Sequence, residues 1–454
     1  MKKITTILIL FVSMFLSASA QFSVEKIDGI IIATYGKQFL VKHYDKNKFS
    51  ILDENGKLNE IKGELPESLE FIDCHNFNKD YFMFIMKNTG DPNFNYAIEG
   101  YKLHKDNLEL EKAPSVIIDQ YQERKNVVRE MKLYCSEDSS KIYVLTYERE
   151  FNTGGANLIS NFLHIVMDNQ YEVIWKKTGY PSPGQSMQIQ AVSNDGDVYF
   201  SSRETKGQGF HLDYYYYIAA FLNQGEDEVC VKLPGNENEI MNVKMFPVSE
   251  GVVLLSGFLK AGDSYFISYM IDMQQKKILG YTKEKFNLKN EKKYLGNKAP
   301  DVGSDWAHSL RSLYYRVGEE YLHVLHFLGS GDEASYVFMY INEDGKITDY
   351  QFLNNPQTSL QYTQRGDVLH FLYQDNIKNY TSKKIVELGK KEKEQCLTYV
   401  RYNIQTKAFA KEMIQKNNDY RAKDMWITNI AKNGFLVKYS TKKTDTFQII
   451  PFKD

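Results

Sequence analysis

The sequence predicts an all-β fold, a β-propeller of four-stranded blades. Three observations predict it: a structural repeat with a period near 50 residues, tight turns between short apolar runs, and aromatic residues spread along the whole chain. The 454 residues include 33 Tyr and 27 Phe but only 3 Trp. Tyr and Phe are favoured in strands, and an amphipathic-helix period is missing almost everywhere, so the composition agrees with the repeat.

The clearest copy of the repeat lies between Trp306 and Leu353. It predicts four short strands, at 307–316, 320–327, 335–342 and 346–352. Asp344-Gly345 lies between the last two strands, and an Asp-Gly pair between apolar runs predicts a type I′ hairpin turn, which needs positive φ at both central residues. Strand 320–327 is apolar on both faces, as expected for an inner strand covered by neighbouring sheets.

The turns give the number of blades. A turn between first and second strands recurs eight times, and a turn between third and fourth strands recurs seven times. The best internal match sets residues 49–58 against residues 338–347. We predict eight blades, with seven as the alternative if the short first block is misread.

The two ends of the chain predict how the ring closes. The last block offers only three strands, at 424–430, 435–439 and 446–451. The segment 22–27 precedes the first complete block and has no partner of its own. If this segment supplies the missing outer strand, the propeller closes by pairing the N-terminal strand with the C-terminal blade, and no sheet edge stays open there.

Residues 1–20 have the pattern of a cleaved signal peptide. Lys2 and Lys3 precede an apolar run from residue 4 to residue 16, and Ala18-Ser19-Ala20 follows. This order of charge, apolar run and small residues is typical of secretory signals, and the run is short for a membrane span. We expect export to the periplasm or the extracellular space, and a single propeller domain over residues 21–454.

The net charge bears on the class of ligand, and the positions of the cysteines bear on disulfide formation. Removing residues 1–20 leaves 54 basic and 58 acidic residues, a net charge of −4, which argues against a nucleic-acid binder. Cys74 and Cys135 end the first strands of neighbouring blocks, and stacked sheets lie about 10 Å apart, too far for a disulfide. We predict that all four cysteines are thiols and form no disulfide. We also predict a monomer without a membrane span.

One face of the predicted propeller carries the irregular segments. The loops between second and third strands and the links between blades are long, whereas the other turns are tight, so the long-loop face is the predicted binding surface. Gly-Asp recurs there with Asp91, Asp263 and Asp332, which are candidate ligands for sugar hydroxyls or a cation, although Gly-Asp also suits a short hairpin turn. The other candidates are His211, Trp306 and His308, where a Trp beside a His could stack a sugar or peptide, although such a Trp is more often wedged between blades.

Catalytic and cofactor motifs are missing from the sequence. His323 and His326 are three apart on a predicted strand and face opposite sides, so they do not predict a metal site. There is no Gly-x-Ser-x-Gly elbow and no glycine-rich phosphate loop that opens a helix. We therefore predict no cofactor and no metal. Residues 383–395 are the one helical candidate, and this charged insertion could equally be disordered.

The segment Ser193-Asn194-Asp195-Gly196-Asp197-Val198-Tyr199-Phe200 resembles the Asp-Gly hairpin of TolB-type propeller repeats. It is not repeated across the blades, and the kelch, Trp-Asp and sialidase signatures are missing. The resemblance is to secreted bacterial propellers in general, and it implies the fold and no activity.

Two functions follow as hypotheses. The sequence favours a non-catalytic binding or assembly module that presents its long-loop face to a protein or glycan. The alternative is a polysaccharide hydrolase or lyase, with Asp91, Asp263, Asp332 and His211 as the candidate residues. A retaining glycosidase needs its two carboxyl groups about 5 Å apart, and loops on separate blades do not favour that.

Overall fold

The computed structural model describes residues 21–25, 27, 29–35, 38–44, 48–53, 55–62, 69–77, 80–88, 96–104, 106–121, 127–151, 157–179, 186–208, 211–234, 240–261, 263–285, 312–328, 334–355, 360–380, 395–416, 424–431, 434–440 and 444–453. Within these ranges the regular structure is 32 β-strands and one 3₁₀ turn, Ile377–Tyr380. The part of the chain described here has no helix long and apolar enough to cross a bilayer.

The first half of the chain forms four antiparallel sheets after an initial strand, β1 (Gln21–Glu25). Sheet 1 consists of β2 (Gly29–Tyr35), β3 (Gln38–His43), β4 (Phe49–Leu52) and β5 (Leu58–Glu60). Sheet 2 consists of β6 (Leu69–Phe77), β7 (Asp80–Asn88), β8 (Tyr96–His104) and β9 (Leu110–Tyr121). Sheet 3 consists of β10 (Val127–Cys135), β11 (Lys141–Phe151), β12 (Asn157–Asp168) and β13 (Val173–Thr178). Sheet 4 consists of β14 (Ser186–Val192), β15 (Val198–Gln208), β16 (His211–Leu222) and β17 (Asp227–Lys232).

The second half repeats the same pattern. Sheet 5 consists of β18 (Ile240–Ser249), β19 (Val252–Ala261), β20 (Asp263–Asp272) and β21 (Lys277–Lys285). Sheet 6 consists of β22 (Ser312–Val317), β23 (Glu320–Leu328), β24 (Ala334–Asn342) and β25 (Ile347–Asn355). Sheet 7 consists of β26 (Leu360–Arg365), β27 (Val368–Asn376), β28 (Gln395–Asn403) and β29 (Ala408–Lys416). Sheet 8 consists of β30 (Asp424–Ala431), β31 (Gly434–Ser440), β32 (Thr444–Pro451) and β1.

The described strands thus form eight four-stranded sheets, seven of them simple meanders. Sheet 8 has the order β1-β32-β31-β30, in which β1 pairs with β32 from Gln21 opposite Gln448 to Glu25 opposite Thr444. The predicted closure by the N-terminal strand is confirmed by this pairing. Because β1 comes from the start of the chain, sheet 8 joins the two termini and protects the outer edge of β32.

Successive sheets pack face to face through apolar clusters. Phe39 and Val41 of sheet 1 pack with Leu436 of sheet 8. A corresponding apolar cluster joins each of the remaining pairs of neighbouring sheets around the ring. First strands of neighbouring sheets also contact one another, for example β14 with β18 and β26 with β30, so the first strand of each sheet is innermost. This arrangement is a β-propeller, with the first strands around a central channel.

The inner strands are covered on both faces, as their sequence predicts. On β23, Tyr321 and Leu325 pack in the cluster with sheet 5. Leu322 and Val324, one residue out of step, pack in the cluster with sheet 7. The period of two along a strand places alternate side chains on opposite faces, so each of these sheets contributes to two interfaces.

The repeated turn is real, but its predicted type is wrong. In the turn after β24, Gly345 has φ of 73° while Asp344 is not among the residues with positive φ. The Gly345 amide donates to the Asn342 carbonyl oxygen at 2.9 Å, and the Asn342 amide donates to the Lys346 carbonyl oxygen at 2.9 Å. These bonds define a three-residue loop, a type I turn followed by a left-handed glycine, rather than type I′. The turn after β4 has the same bonds, with Gly56 at φ of 80°, which supports the internal match.

Several predicted boundaries in the clearest repeat also shift. The first strand begins at Ser312 instead of residue 307, and residues 307–311 lie outside the described ranges. The fourth strand runs on to Asn355. The helical candidate 383–395 lies outside the described residues except for Gln395, which begins β28. Cys135, Cys230 and Cys396 are thiols, while the side chain of Cys74 is not described.

The expectation of long loops between second and third strands is wrong for three sheets. In sheet 4, residues 203–212 continue the ladder to a pair between Gln208 and His211. In sheet 5, Ala261 pairs with Asp263 across a single residue, and in sheet 3 the ladder reaches Phe151 opposite Asn157. These ribbons extend beyond the apolar interface, so their polar residues lack the alternation that would identify a strand.

Candidate functional site

A cavity of about 630 Å³ opens at one end of the central channel. We call this end the turn face, because it is where the first strand of each sheet turns into the second. The cavity is formed by the C-terminal parts of β10, β14, β18 and β22 and the turns that follow them, with one residue from β26. It is lined by Tyr134, Cys135, Glu137, Ala191, Val192, Ser193, Asn194, Asp195, Met245, Phe246, Pro247, Val248, Ser249, Tyr314, Tyr315 and Gln364.

Aromatic side chains form the wall of this cavity. The Tyr314 ring stacks on Phe246 at 5.1 Å between centroids and on His323 at 4.0 Å. On the other side of the channel, Tyr134 stacks on Tyr143 at 5.7 Å. Tyr134, Phe246 and Tyr314 are each only partly buried, so their rings retain some exposed surface. Stacking holds these rings in place before any ligand arrives.

Hydrogen bonds fix the Tyr314 ring further. Its hydroxyl donates to the Lys244 carbonyl oxygen at 2.8 Å, and it lies 2.9 Å from the hydroxyl of Ser256. Ser256 Oγ in turn lies 2.6 Å from Nδ1 of the fully buried His323. Burial raises the pKa of Tyr314, so the phenol stays protonated at neutral pH. The chain of contacts ties the wall of the cavity in sheet 6 to two strands of sheet 5.

Polar groups occupy the rim of the cavity. Glu137 and Asp195 come from the turns after β10 and β14, and Ser193, Asn194 and Gln364 add neutral hydrogen-bonding groups. The Asp138 amide donates to Asn194 Oδ1 at 3.2 Å, which joins the two turns. Burial raises the pKa of Glu137, and the positive charge of Arg316 in sheet 6 acts in the opposite direction.

Two lysines precede cavity residues on the strands that form the cavity. Lys132 is two residues before Tyr134 on β10, and Lys244 is two residues before Phe246 on β18. Side chains two apart on a strand share a face, so the lysines lie below the aromatic wall by about 7 Å of strand. Burial lowers the pKa of Lys132. Burial and, second, the charge of Lys132 lower the pKa of Lys244.

The cavity therefore has an acidic and amide rim and an aromatic wall, and the two lysines lie on the same strands outside its lining. Pockets with apolar walls and a few placed polar groups are typical of ligand-binding sites. Within the described ranges no group of three or more His, Cys, Asp or Glu side chains is arranged to hold a metal ion. The Tyr314 hydroxyl on the cavity wall lies beside Ser256, which in turn contacts His323.

Two of the residues predicted from the sequence are described, at the start of strands. His211 begins β16 and Asp263 begins β20, at the end of the ring opposite the cavity and in neighbouring sheets, but their side chains are not described. Asp91, Asp332, Trp306 and His308 lie outside the described residues. The role of the predicted set stays a prediction.

Sequence reasoning missed the turn face because it equated long loops with a binding surface. The signal that could have identified the cavity is local. Tyr134 and Tyr314 stand near the ends of first strands, and acidic or amide residues follow Tyr134 within a few positions. Equivalent strand ends meet at one end of the channel in a closed ring, so these side chains converge although they are far apart in sequence.

Comparison with known proteins adds structural similarities only. The sequence matches no protein-family model and no curated protein. Among solved structures, dipeptidyl peptidase 4 of Porphyromonas gingivalis aligns over 94% of this chain and 65% of its own, with 9% identity and a TM-score of 0.39. Prolyl oligopeptidase B of Galerina marginata aligns over 88% of this chain and 53% of its own, with 8% identity and a TM-score of 0.42. An uncharacterized protein of Listeria monocytogenes EGD-e aligns over 84% of this chain and 92% of its own, with 10% identity and a TM-score of 0.40.

This chain thus spans about two thirds and about half of the two peptidases it aligns with. Identities of 8–10% transfer no activity. On the pairing of its strands and the packing of its sheets, the chain is a β-propeller.

Proposed function

We propose that the protein is a non-catalytic binding module that receives a glycan at the turn-face cavity. The observation that carries the proposal is the aromatic wall of the cavity, Tyr134, Phe246, Tyr314 and Tyr315, below a rim of carboxylate and amide groups. Sugar rings present apolar C–H faces that pack on aromatic rings, and their hydroxyl groups donate to carboxylate and amide oxygens. A cavity of about 630 Å³ has room for a few sugar rings.

The signal-like residues 1–20 support a place for this module in the periplasm or at the cell surface, where glycans are encountered. The proposal keeps the sequence-based hypothesis of a binding module but moves the site from the long-loop face to the turn face. A protein partner at the opposite face stays a separate hypothesis.

One observation favours a catalytic alternative. The raised pKa of Glu137 is what a general acid of a polysaccharide hydrolase requires, and Asp195 supplies a second carboxylate on the rim. A hydrolase would release new reducing ends from its substrate, whereas a binding module would not. Incubation of bound oligosaccharides with the protein, followed by chromatography of the products, separates the two functions.

Binding is tested by screening the mature chain against immobilised glycans and then measuring affinity by isothermal titration calorimetry. The informative variant is Tyr315→Leu, which removes an aromatic ring from the cavity but keeps its bulk. We expect an affinity loss of about fivefold, since stacking contacts are worth about 1 kcal/mol. The matched control is Tyr281→Leu, because Tyr281 is 43% exposed on the outermost strand of sheet 5.

The proposal fails if no glycan binds, or if Tyr281→Leu and Tyr315→Leu weaken binding equally. In the second case the ligand would sit on the outer surface of the ring rather than in the channel.

A further inference from the structure

We propose that Lys132 and Lys244, which lie one step beyond the lining of the cavity and which we call its floor, hold the oxyanion of an acidic sugar. The glycan would then carry a carboxylate or a sulfate group. This inference rests on the proposed function and names the class of glycan that the site takes.

The first argument is position. Lys132 and Lys244 share strand faces with the cavity residues Tyr134 and Phe246, one step further into the channel. A ligand that packs on the aromatic wall would therefore have the two lysines one step along the same strands, where Lys132 Nζ now lies 5.6 Å from the centroid of the Tyr147 ring. The charge changes sign along this path, because Glu137 and Asp195 occupy the rim. An elongated ligand with one anionic end fits such a gradient in a single orientation.

The second argument is the lack of a carboxylate committed to the lysines. Glu130 is the acidic neighbour of Lys132, but it already pairs with Arg149 at 3.0 Å and accepts a hydrogen bond from the Tyr147 hydroxyl. Lys244 has no ion pair among the described residues, and the charged groups that influence it include Lys132. Both lysines are partly buried, and the contact of the Lys132 ammonium is with the Tyr147 ring, 5.6 Å from its centroid. Partly buried cations without a committed anion are unfavourable, since buried charges are normally paired.

Other partly buried lysines of this chain show the normal arrangement. Lys411 lies 2.8 Å from the fully buried Asp375, and Lys177 lies 2.8 Å from Glu228. Lys407 lies 3.1 Å from Asp349. Against these pairs, Lys132 and Lys244 stand out as cations whose compensation is incomplete, and an incoming oxyanion would complete it.

The third argument concerns His323. It is fully buried beside Lys244, and its Nε2 atom has no hydrogen-bond partner. Burial and, second, the charge of Lys244 hold the pKa of His323 well below its ordinary value, so the ring is neutral. The positive charge at the floor therefore comes from the two lysines, and these are the residues to change.

The test compares three oligosaccharides of equal length by calorimetry: an oligogalacturonide, a sulfated galacto-oligosaccharide and a neutral galacto-oligosaccharide. We expect one of the two acidic ligands to bind the wild-type chain about tenfold or more tightly than the neutral ligand, because hydrogen bonds to charged groups are the stronger ones. Which acidic ligand it is distinguishes a carboxylate from a sulfate. The preference should vanish in Lys244→Met and shrink in Lys132→Met.

The matched control is Lys277→Met, since Lys277 is exposed on the outermost strand of sheet 5 and should leave the preference unchanged. Circular dichroism establishes that each variant is folded. Equal binding of acidic and neutral ligands would overturn the inference and leave the proposed function standing. Binding of none of the three would count against both. A preference retained in Lys244→Met and Lys132→Met would place the oxyanion elsewhere.

Discussion

Strand β10 carries two buried cations that have opposite surroundings. Arg129 is compensated: its guanidinium approaches Asp119 Oδ2 at 2.6 Å, donates to Thr146 Oγ1 at 3.0 Å and lies 3.8 Å from Glu148 Oε1. Lys132, three residues later and on the other face of the strand, lacks a carboxylate of its own. The comparison teaches that the same inner strand serves two purposes, one structural and one directed at a ligand.

The location of each cation explains the difference. Asp119 belongs to β9 of sheet 2, so the Arg129 network joins two neighbouring sheets, and both side chains are less than a tenth exposed. Thr146 Oγ1 also donates to Asp119 Oδ2, at 2.7 Å. Lys132 instead lies on the face of β10 that carries Tyr134, with its Nζ 5.6 Å from the centroid of the Tyr147 ring. A cation between sheets must be neutralised by the fold, whereas a cation at the end of an open cavity can be neutralised by a ligand.

The largest expected effect comes from breaking the compensated network. Arg129→Met leaves Asp119 buried without its cation, and we expect a loss of about 3–5 kcal/mol in the free energy of unfolding. Chemical denaturation followed by circular dichroism measures it. The double variant with Asp119→Leu should recover part of the loss, because it removes the stranded carboxylate. Additive losses would show that the two side chains act independently.

The next effect is on the pH dependence of stability and comes from His164, a buried imidazole that stays neutral and whose two hydrogen bonds are not to a carboxylate. His164 donates a hydrogen bond from Nε2 to the Gly179 carbonyl oxygen and accepts one at Nδ1 from the Tyr143 hydroxyl, both at 2.7 Å. Burial lowers its pKa to about 4, and the Gly179 bond opposes the shift. In the unfolded chain the imidazole titrates near pH 6.5.

Between these two pKa values the unfolded state binds the additional proton, so stability contributed by His164 is complete above about pH 6.5 and is lost as the pH falls toward about 4. We expect this part to amount to about 2–3 kcal/mol. Denaturation curves of wild type and His164→Leu at pH 7 and pH 5 test it. A pH dependence as steep in the variant as in wild type would exclude His164 as its source.

A smaller effect of opposite sign is expected at the uncompensated cation. Lys244→Met removes a buried charge and keeps the length of the side chain, and we expect the free energy of unfolding to rise by about 1 kcal/mol in the absence of ligand. Thermal unfolding of wild type, Lys244→Met and Lys277→Met measures it. A marked loss of stability in Lys244→Met would mean that the lysine is compensated after all, as Arg129 is.

The smallest effect is expected at an exposed pair. Arg316 and Glu343 are 3.5 Å apart, with side chains 60% and 58% exposed. Glu343→Gln should change the free energy of unfolding by only a few tenths of a kcal/mol, because water and salt screen such pairs. The same denaturation assay at two salt concentrations checks this. A change above about 1 kcal/mol in the free energy of unfolding would show that burial does not determine how much an ion pair contributes to stability.

The propeller could be predicted from the sequence because the same turns recur in successive blocks of the repeat. The matched turns at Gly56 and Gly345 are nearly identical in their hydrogen bonds, and the alternation on β23 showed both buried faces. Prediction from the sequence failed for strand segments that extend beyond the buried interface. The ribbon that ends at Gln208 and His211 has polar residues without alternation, yet it is held by a regular ladder.

The candidate site could not be predicted for a different reason. Glu137, Phe246 and Tyr314 lie on sheets 3, 5 and 6, and only closure of the ring brings them together at the channel. Sequence patterns report what a strand buries on its own sheet, and they do not report which strand ends face one another across a ring. The lysines had no sequence signal either, because the absence of a compensating carboxylate is a property of three-dimensional contacts.

The central claim is that the ligand binds in the channel at the turn face. It is tested most directly by a crystal structure of residues 21–454 with a bound acidic oligosaccharide. The account predicts ligand density between Tyr134 and Tyr314, with the oxyanion near Lys132 and Lys244. Density at the opposite face, beside His211 and Asp263, with the turn-face cavity holding no sugar, would contradict it.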